Sequence, residues 1–254
     1  MTVLQAIIVG IVEGITEFLP ISSTAHMILT SHALQLRETE FLKSFEIIIQ
    51  LGAILSIVVL YWKRLWNLEL IKKLFVAFLP TGIIGFTVYG LVKQYLLGNV
   101  PVVLAALVLG GIALIFWERI HGHDDRESDM REITYRRALF IGVAQAVAMI
   151  PGVSRSAATI VGGSLMGVSK RTIVDFSFLL AIPTMAAATG YDLLKSYGSL
   201  NGHLDILAIG FVVSFITAIV AVKTFLGYIK RHSFAAFGWY RIILAAAFWL
   251  VFLR

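Results

Sequence analysis

Apolar positions in this chain of 254 residues fall into long uninterrupted runs, not into the stripes of amphipathic surface helices. Six runs, at about 43 to 62, 74 to 92, 101 to 117, 173 to 194, 205 to 227 and 235 to 253, have the roughly 17 to 25 residues that a helix needs to cross a bilayer core. Two other apolar regions are broken by polar turns. Residues 3 to 19 end at Pro20 and run into Ser22, Ser23 and Thr24, and residues 138 to 150 end at Pro151 and Gly152, followed by Ser154, Arg155 and Ser156. A second short apolar arm follows each turn, at 25 to 34 and 157 to 168. Such short arms suit helical hairpins that enter the membrane and turn back. Glu13 and Glu17 interrupt the first run and no basic segment precedes it, so a hairpin arm is expected there and not a cleavable signal peptide. The pattern predicts an all-α integral membrane protein with six transmembrane helices and two re-entrant helical hairpins.

The two broken regions resemble each other. An offset of 132 residues superposes Thr2 on Thr134, Ala6 on Ala138, Gly10 on Gly142, Ser22 on Ser154 and Ala25 on Ala157, with Glu13 falling on Gln145; an offset of 131 superposes Phe45 on Phe176. A duplication is expected within a single transmembrane domain, 1–254, with one repeat at about 1–118 and the other at about 134–254. Each repeat holds one hairpin and three spans. Because three is odd, the second copy lies upside down relative to the first, an inverted-topology repeat. The hairpins then enter from opposite faces and their polar tips can meet near the bilayer centre. There Ser22 or Ser23, and Ser154, can cap the N-termini of the second arms. Two converging helix N-termini make an anion site.

Composition removes the other classes. Hydrophobic residues are 59% of the chain and charged residues 14%, against ~25% charged in soluble domains, which excludes a water-soluble globule and a disordered chain. With no cysteine, the chain has no disulfide, thiolate metal site or cysteine nucleophile. A net charge of +6 would suggest nucleic acid in a soluble protein; here the surroundings are membrane lipids, no nucleic-acid partner is expected, and the charge reports topology. If the hairpins return to the side they entered, thirteen basic residues share one side: Lys63, Arg64, Lys72, Lys73, Arg119, Arg126, Arg131, Arg136, Arg137, Lys170, Arg171, Lys230 and Arg231. The other side has five, Arg37, Lys43, Lys93, Lys195 and Arg254, while Arg155, Lys223 and Arg241 lie within hairpin or span. Positive charge marks the cytoplasmic face, so both termini are expected outside.

Chemistry-bearing residues crowd the two turns. Glu13 and Glu17 share one helix face at i, i+4, and carboxylates at membrane depth are functional candidates. Together with a phosphate they could hold a hard divalent cation, Mg²⁺ or Ca²⁺; the alternative is a solvated face at the water interface. Arg155 presents a planar fork suited to phosphate oxygens, or else snorkels or pairs with a structural carboxylate. Ser22, Ser23 and Thr24 offer hydroxyls, at least one of them expected as a helix cap. His26 is a candidate acid or base. Gln145, standing where the first repeat has Glu13, is expected to support the site from behind or to pack.

The motifs E-G-I-T-E-F-L-P-I-S-S-T-A-H (13 to 26) and P-G-V-S-R-S-A-A-T (151 to 159) resemble those of the bacterial undecaprenyl-pyrophosphate phosphatases, the bacitracin-resistance family of integral membrane enzymes. The likeness spans nearly the whole chain, through F-E-I-I-I-Q-L-G (45 to 52), G-G-S-L-M-G-V-S (162 to 169), D-F-S-F-L-L-A-I-P (175 to 183) and K-T-F-L (223 to 226). The resemblance implies hydrolysis of the C55 isoprenyl pyrophosphate to the monophosphate and inorganic phosphate, recycling the carrier lipid of cell-wall synthesis, at a site in the cytoplasmic membrane that opens to the periplasm. It implies an acidic pair at Glu13 and Glu17, a nucleophile at Ser23, a histidine at His26 and a phosphate-binding arginine at Arg155, flanked by Ser22, Thr24 and Ser154. Ser23 as a ligand for direct water attack uses the same residues. The chain departs from the family at Ala25 and Ala157, where glycine is usual; the added methyls could narrow the approach of the tips or stiffen both arms.

Two other classes compete. A secondary transporter or lipid flippase also uses inverted repeats and half-helices meeting at the midplane, but needs less than this crowding of Glu, Ser, Thr, His and Arg. The type-2 phosphatidic-acid phosphatases expect a histidine six residues after the arginine, where this chain has Val161.

Overall fold

The computed structural model describes residues 1–37, 39–96, 99–121, 129–196 and 204–253; Arg126 and Arg254, which entered the charge tally, lie outside them. Among the described residues there are ten α-helices and no strand: α1 Val3–Thr16, α2 Ser23–Ala33, α3 Glu40–Tyr61, α4 Leu68–Leu91, α5 Val100–His121, α6 Tyr135–Ala146, α7 Arg155–Leu165, α8 Lys170–Ser196, α9 Leu204–Tyr228 and α10 Ala235–Phe248. Six are long and apolar enough to cross a membrane: α3, α4, α5, α8, α9 and α10, the last counted with the helical turn that follows it. The protein is a multi-pass membrane protein.

Helix starts follow from local chemistry. Thr2 accepts from the Gln5 amide, and the Gln5 side chain answers to the Thr2 N–H, a reciprocal cap that satisfies two orphan donors. Thr134 caps α6 through the Arg137 amide, 132 residues after Thr2. The spans run past the apolar runs that announce them. Helix α4 begins at Leu68 and takes in Lys72 and Lys73, α5 reaches His121, and α6 begins at Tyr135 and takes in Arg136 and Arg137, all expected in loops. Hydropathy marks where the bilayer core ends, whereas helix formers such as Lys and Arg carry the backbone pattern further.

Packing pairs α1 with α9 and α6 with α4, while α3 lies against α8 and α5 against α10. The close approaches rest on glycine. Gly10 faces the Gly210 carbonyl and Gly142 the Ala77 carbonyl, and threonines tie the same pairs: Thr217 Oγ1 donates to Gly10 O at 3.5 Å and Thr81 Oγ1 to Gly142 O at 2.9 Å. The central core centres on α8, where Phe178 packs edge-on against Phe18 of the first turn with ring centroids 5.5 Å apart. Near the basic loops the buried Asp175 of α8 accepts from Tyr61 at 2.6 Å and Arg64 at 2.9 Å, clamping α8 to the end of α3. Large apolar side chains such as Phe86, Leu109, Val220 and Ile243 stay exposed on the outside, the surface that lipid covers.

A methyl at Gly142 would collide with the Ala77 carbonyl, whereas one at Gly227 meets nothing within 4 Å. Gly142→Ala should therefore lower stability in detergent by about 1–3 kcal/mol through overpacking, while Gly227→Ala leaves thermal unfolding unchanged. Equal unfolding midpoints for the two variants would show that α4 and α6 are not packed this tightly.

Candidate active site

Each polar turn is a strained helix start. Ser22 has φ 72° and caps α2 through the Ala25 amide at 3.4 Å; Ser154 has φ 75° and caps α7 through the Ala157 amide at 3.2 Å. A non-glycine residue at positive φ costs about 1–3 kcal/mol and persists only where its surroundings over-determine it. Both serines predicted to flank the phosphate are thus also caps, and Ser22, not Ser23, is the cap of α2. The methyls of Ala25 and Ala157 are buried, and Ala25 packs with Val103, Leu107 and Ala245.

The two turns are tied to each other. Ser156 Oγ donates to Phe18 O at 2.9 Å, and Arg155 Nη2 donates to Glu17 Oε1 at 2.7 Å. Arg155 also donates from Nη1 to Ser177 O at 3.0 Å, and its guanidinium lies 5.8 Å from the centre of the Phe18 ring. Its Nε–H is buried without an acceptor, a donor that an anion in the cleft would satisfy. On the other oxygen of Glu17, Ser23 Oγ donates to Oε2 at 2.6 Å. One carboxylate therefore joins the hydroxyl of one turn to the guanidinium of the other.

Glu13, one helical turn before Glu17, is fully buried, and neither of its oxygens receives a hydrogen bond. The carboxyl of Glu17 lies alongside it. Two buried carboxyls side by side need a shared proton or a cation, and this pair could take either. No cluster of three or more His, Cys, Asp or Glu occurs among the described residues, so substrate oxygens and water would have to complete the shell, as is usual for Mg²⁺.

His26 is held at both ring nitrogens. Nδ1 lies 2.7 Å from Ser22 O and Nε2 lies 2.8 Å from Tyr240 Oη, with the two rings stacked. A carbonyl can only accept, so Nδ1 carries a proton, and in the neutral ring Nε2 accepts from the tyrosine. Both nitrogens are taken, and Ser23 turns to Glu17. Thr24 is half-buried, with no hydrogen bond from its hydroxyl among the described residues. Gln145 is buried and donates to Thr81 at 2.9 Å and Thr184 at 3.2 Å, and it lines the same cavity as Arg155. Tyr240 and Ser177 were not foreseen. The first is 214 residues from His26, and the second contributes a backbone carbonyl that any residue would supply.

Beside Arg155 a cavity of about 500 Å³ lies between α4, α6 and α8, lined mainly by apolar groups including Phe78, Phe86, Met149 and Ala187. The arrangement can thus grip an anion with Arg155 and two helix N-termini, deprotonate a hydroxyl beside it, and house an apolar chain next to both.

Comparison with known proteins agrees with this chemistry. Residues 6–247 match the sequence model of the family described as bacitracin resistance protein BacA. The undecaprenyl-diphosphatase of Aquifex aeolicus is 54% identical over 255 residues, covering 100% of both chains. Those of Bdellovibrio bacteriovorus and a Sulfurihydrogenibium species are 50% and 48% identical, covering 96% and 98% of this chain and 94% and 99% of their own.

Removing one member of a buried ion pair costs ~3–5 kcal/mol because the other charge is stranded. Arg155→Met should therefore destabilise the folded protein in detergent far more than Arg155→Met combined with Glu17→Gln. Additive losses in that unfolding series would mean that the two side chains are not paired.

Proposed function

The chain belongs to the bacitracin resistance protein BacA family, and on that premise we propose that it is an undecaprenyl-diphosphatase of the bacterial cytoplasmic membrane. It hydrolyses the C55 isoprenyl pyrophosphate to the monophosphate and inorganic phosphate, which recycles the carrier lipid of cell-wall synthesis and confers bacitracin resistance. The observation that carries this reading is Glu17 holding Ser23 at 2.6 Å and Arg155 at 2.7 Å. A transporter's anion site needs no carboxylate on a hydroxyl.

In this reading Ser23 gives its proton to Glu17 as Oγ bonds to the terminal phosphorus. The bridging P–O bond breaks and the isoprenyl monophosphate leaves. Arg155, with its free Nε–H, and the N-termini of α2 and α7 capped by Ser22 and Ser154 hold the equatorial oxygens as charge develops, and the Thr24 hydroxyl is a further donor. The departing monophosphate carries off the proton that Glu17 took, after which Glu17 accepts a proton from the water that attacks the phosphoserine phosphorus and returns it to Ser23 Oγ as inorganic phosphate leaves. His26 fixes the first turn of α2 through the Ser22 carbonyl, and Gln145 braces α6 against α4 and α8. Glu13 and Glu17 would hold a divalent cation, Mg²⁺ or Ca²⁺, whose charge neutralises phosphate oxygens. The apolar cavity beside Arg155 takes the first isoprene units, and the rest of the chain lies in lipid.

We further propose that α1–α2 and α6–α7 are re-entrant hairpins of an inverted repeat, 1–118 and 134–254. Matching caps at Thr2 and Thr134, matching strained serines at Ser22 and Ser154, and the reciprocal packing of α1 on α9 and α6 on α4 support it. Five of the six principal site groups come from the first hairpin, whose ends the charge bias puts outside, so the cavity opens to the outer face.

Three results are expected. Arg155→Lys should lose more than about 10-fold in phosphate release, because a point charge cannot match the fork; near-normal turnover would remove the fork from the mechanism. A chelator should abolish turnover, with Glu13→Gln and Glu17→Gln each shifting the response to added Mg²⁺ or Ca²⁺; unchanged metal dependence in both would take the carboxylates out of a metal site. Because the chain has no cysteine, Ser23→Cys should react with an impermeant thiol reagent in intact spheroplasts, as an Arg37→Cys control does. Labelling only once the inner face is exposed would mean that the cavity opens inward.

A further inference from the structure

A second arginine, which the mechanism above does not use, touches both turns. Arg241 of α10 is fully buried, and among the described residues it has no carboxylate partner. Backbone carbonyls hold both of its terminal nitrogens, while the buried Nε–H has no acceptor: Nη2 donates to Gly152 O at 2.8 Å and Ala106 O at 3.1 Å, and Nη1 to Val153 O at 3.1 Å and Pro20 O at 3.4 Å. Those acceptors belong to three elements. Pro20 is in the first turn, Gly152 and Val153 are in the second, and Ala106 is on α5. A buried cation held only by carbonyls is costly, and the fold makes room for it: a methyl at Gly110 of α5 would collide with Nη2.

The carbonyls it holds come just before the strained caps. Val153 O and the Ser154 N–H belong to one planar trans peptide, so a donor drawn to the carbonyl on one side aims the N–H away from itself on the other. Pro20 O shares its peptide plane with the Ile21 N–H, which bonds Leu19 O at 2.8 Å, so on the first turn the arginine holds the loop one peptide ahead of the cap. Positive φ at Ser22 and Ser154 survives only if the surrounding structure over-determines it, and the planar fork of an arginine can reach several acceptors at once where an ammonium cannot. Its neighbour Tyr240 holds His26, so one turn of α10 backs both tips.

We infer that Arg241 is a positioning residue: it clasps the two turns to one another and to α5, and so sets the direction in which the first peptide groups of α2 and α7 face the phosphate. This rests on the phosphatase reading for its activity measurements, but not for its geometry.

The test uses the full chain in detergent, with farnesyl or undecaprenyl pyrophosphate as substrate. Arg241→Lys should keep its thermal unfolding midpoint near that of the wild type and lose roughly 30- to 100-fold in kcat, the scale of a displacement of about 1 Å at the reacting groups. KM should move less than about three-fold, since the tail cavity is lined from α4, α6 and α8. Gly110→Ala, which keeps the cation but pushes it from its seat, should do the same, and it carries the test if the lysine variant does not fold. Gly227→Ala, whose methyl meets nothing within 4 Å, is the control and keeps full turnover. Tip geometry is read without activity from nitroxides at Ile15→Cys and Ile150→Cys, both exposed: their distance distribution should broaden when Arg241→Met or Gly110→Ala is added. Wild-type kcat in folded Arg241→Lys or Gly110→Ala, or an unchanged distance distribution, would overturn the inference. A wild type that releases no phosphate would instead overturn the phosphatase reading and leave the distance measurement to decide this one.

Discussion

A carboxylate and a guanidinium, Glu17 and Arg155, meet at 2.7 Å with 4% and 13% of their side chains exposed. Neither charge is tolerable alone at that depth, because the cost of desolvation is recovered only by a partner and by further hydrogen bonds. Each therefore requires the other, and the two come from turns 138 residues apart. The folding of both turns, their approach and their chemistry thus become one problem. Ser23 and the Ser177 carbonyl satisfy part of what the pair leaves over, and Arg155 Nε–H remains without an acceptor.

The same constraint explains what surrounds the pair. Buried backbone groups where a helix breaks must find partners in the protein or in water. Here serine caps, the Ser156 bond to Phe18 O and the four carbonyls on Arg241 satisfy them from three sides. Glycines at the helix crossings let α1 reach α9 and α6 reach α4 closely enough for threonine hydroxyls to bind backbone between them. At the meeting of the turns Arg155 Nε is a buried donor without an acceptor, which suits an anion, and the two Glu13 oxygens are buried acceptors without a donor.

Much of this was legible in sequence because it is local. Run length marks a span, a proline followed by serines marks a broken helix, and Glu13 and Glu17 at i, i+4 share a face whatever the rest of the chain does. Six spans and both arms of each turn appear where the apolar runs lie. Contacts across the fold were not legible. Tyr240 and Arg241 sit in an apolar run with no motif around them, and His26 could not be assigned partners before α10 was placed. Helix ends also ran past the hydrophobic runs, as Lys72 and Arg136 show, since lipid immersion and helical backbone are separate conditions.

The most direct measurement is a double-mutant cycle on phosphate release from the isoprenyl pyrophosphate, with Glu17→Ala, Arg155→Ala and the pair together. If the two turns form one site around this ion pair, each single change removes nearly all turnover and the double variant is hardly worse, as with residues acting as a unit. Losses that multiply would mean that Glu17 and Arg155 act separately, and that the meeting of the turns is not what builds the active site.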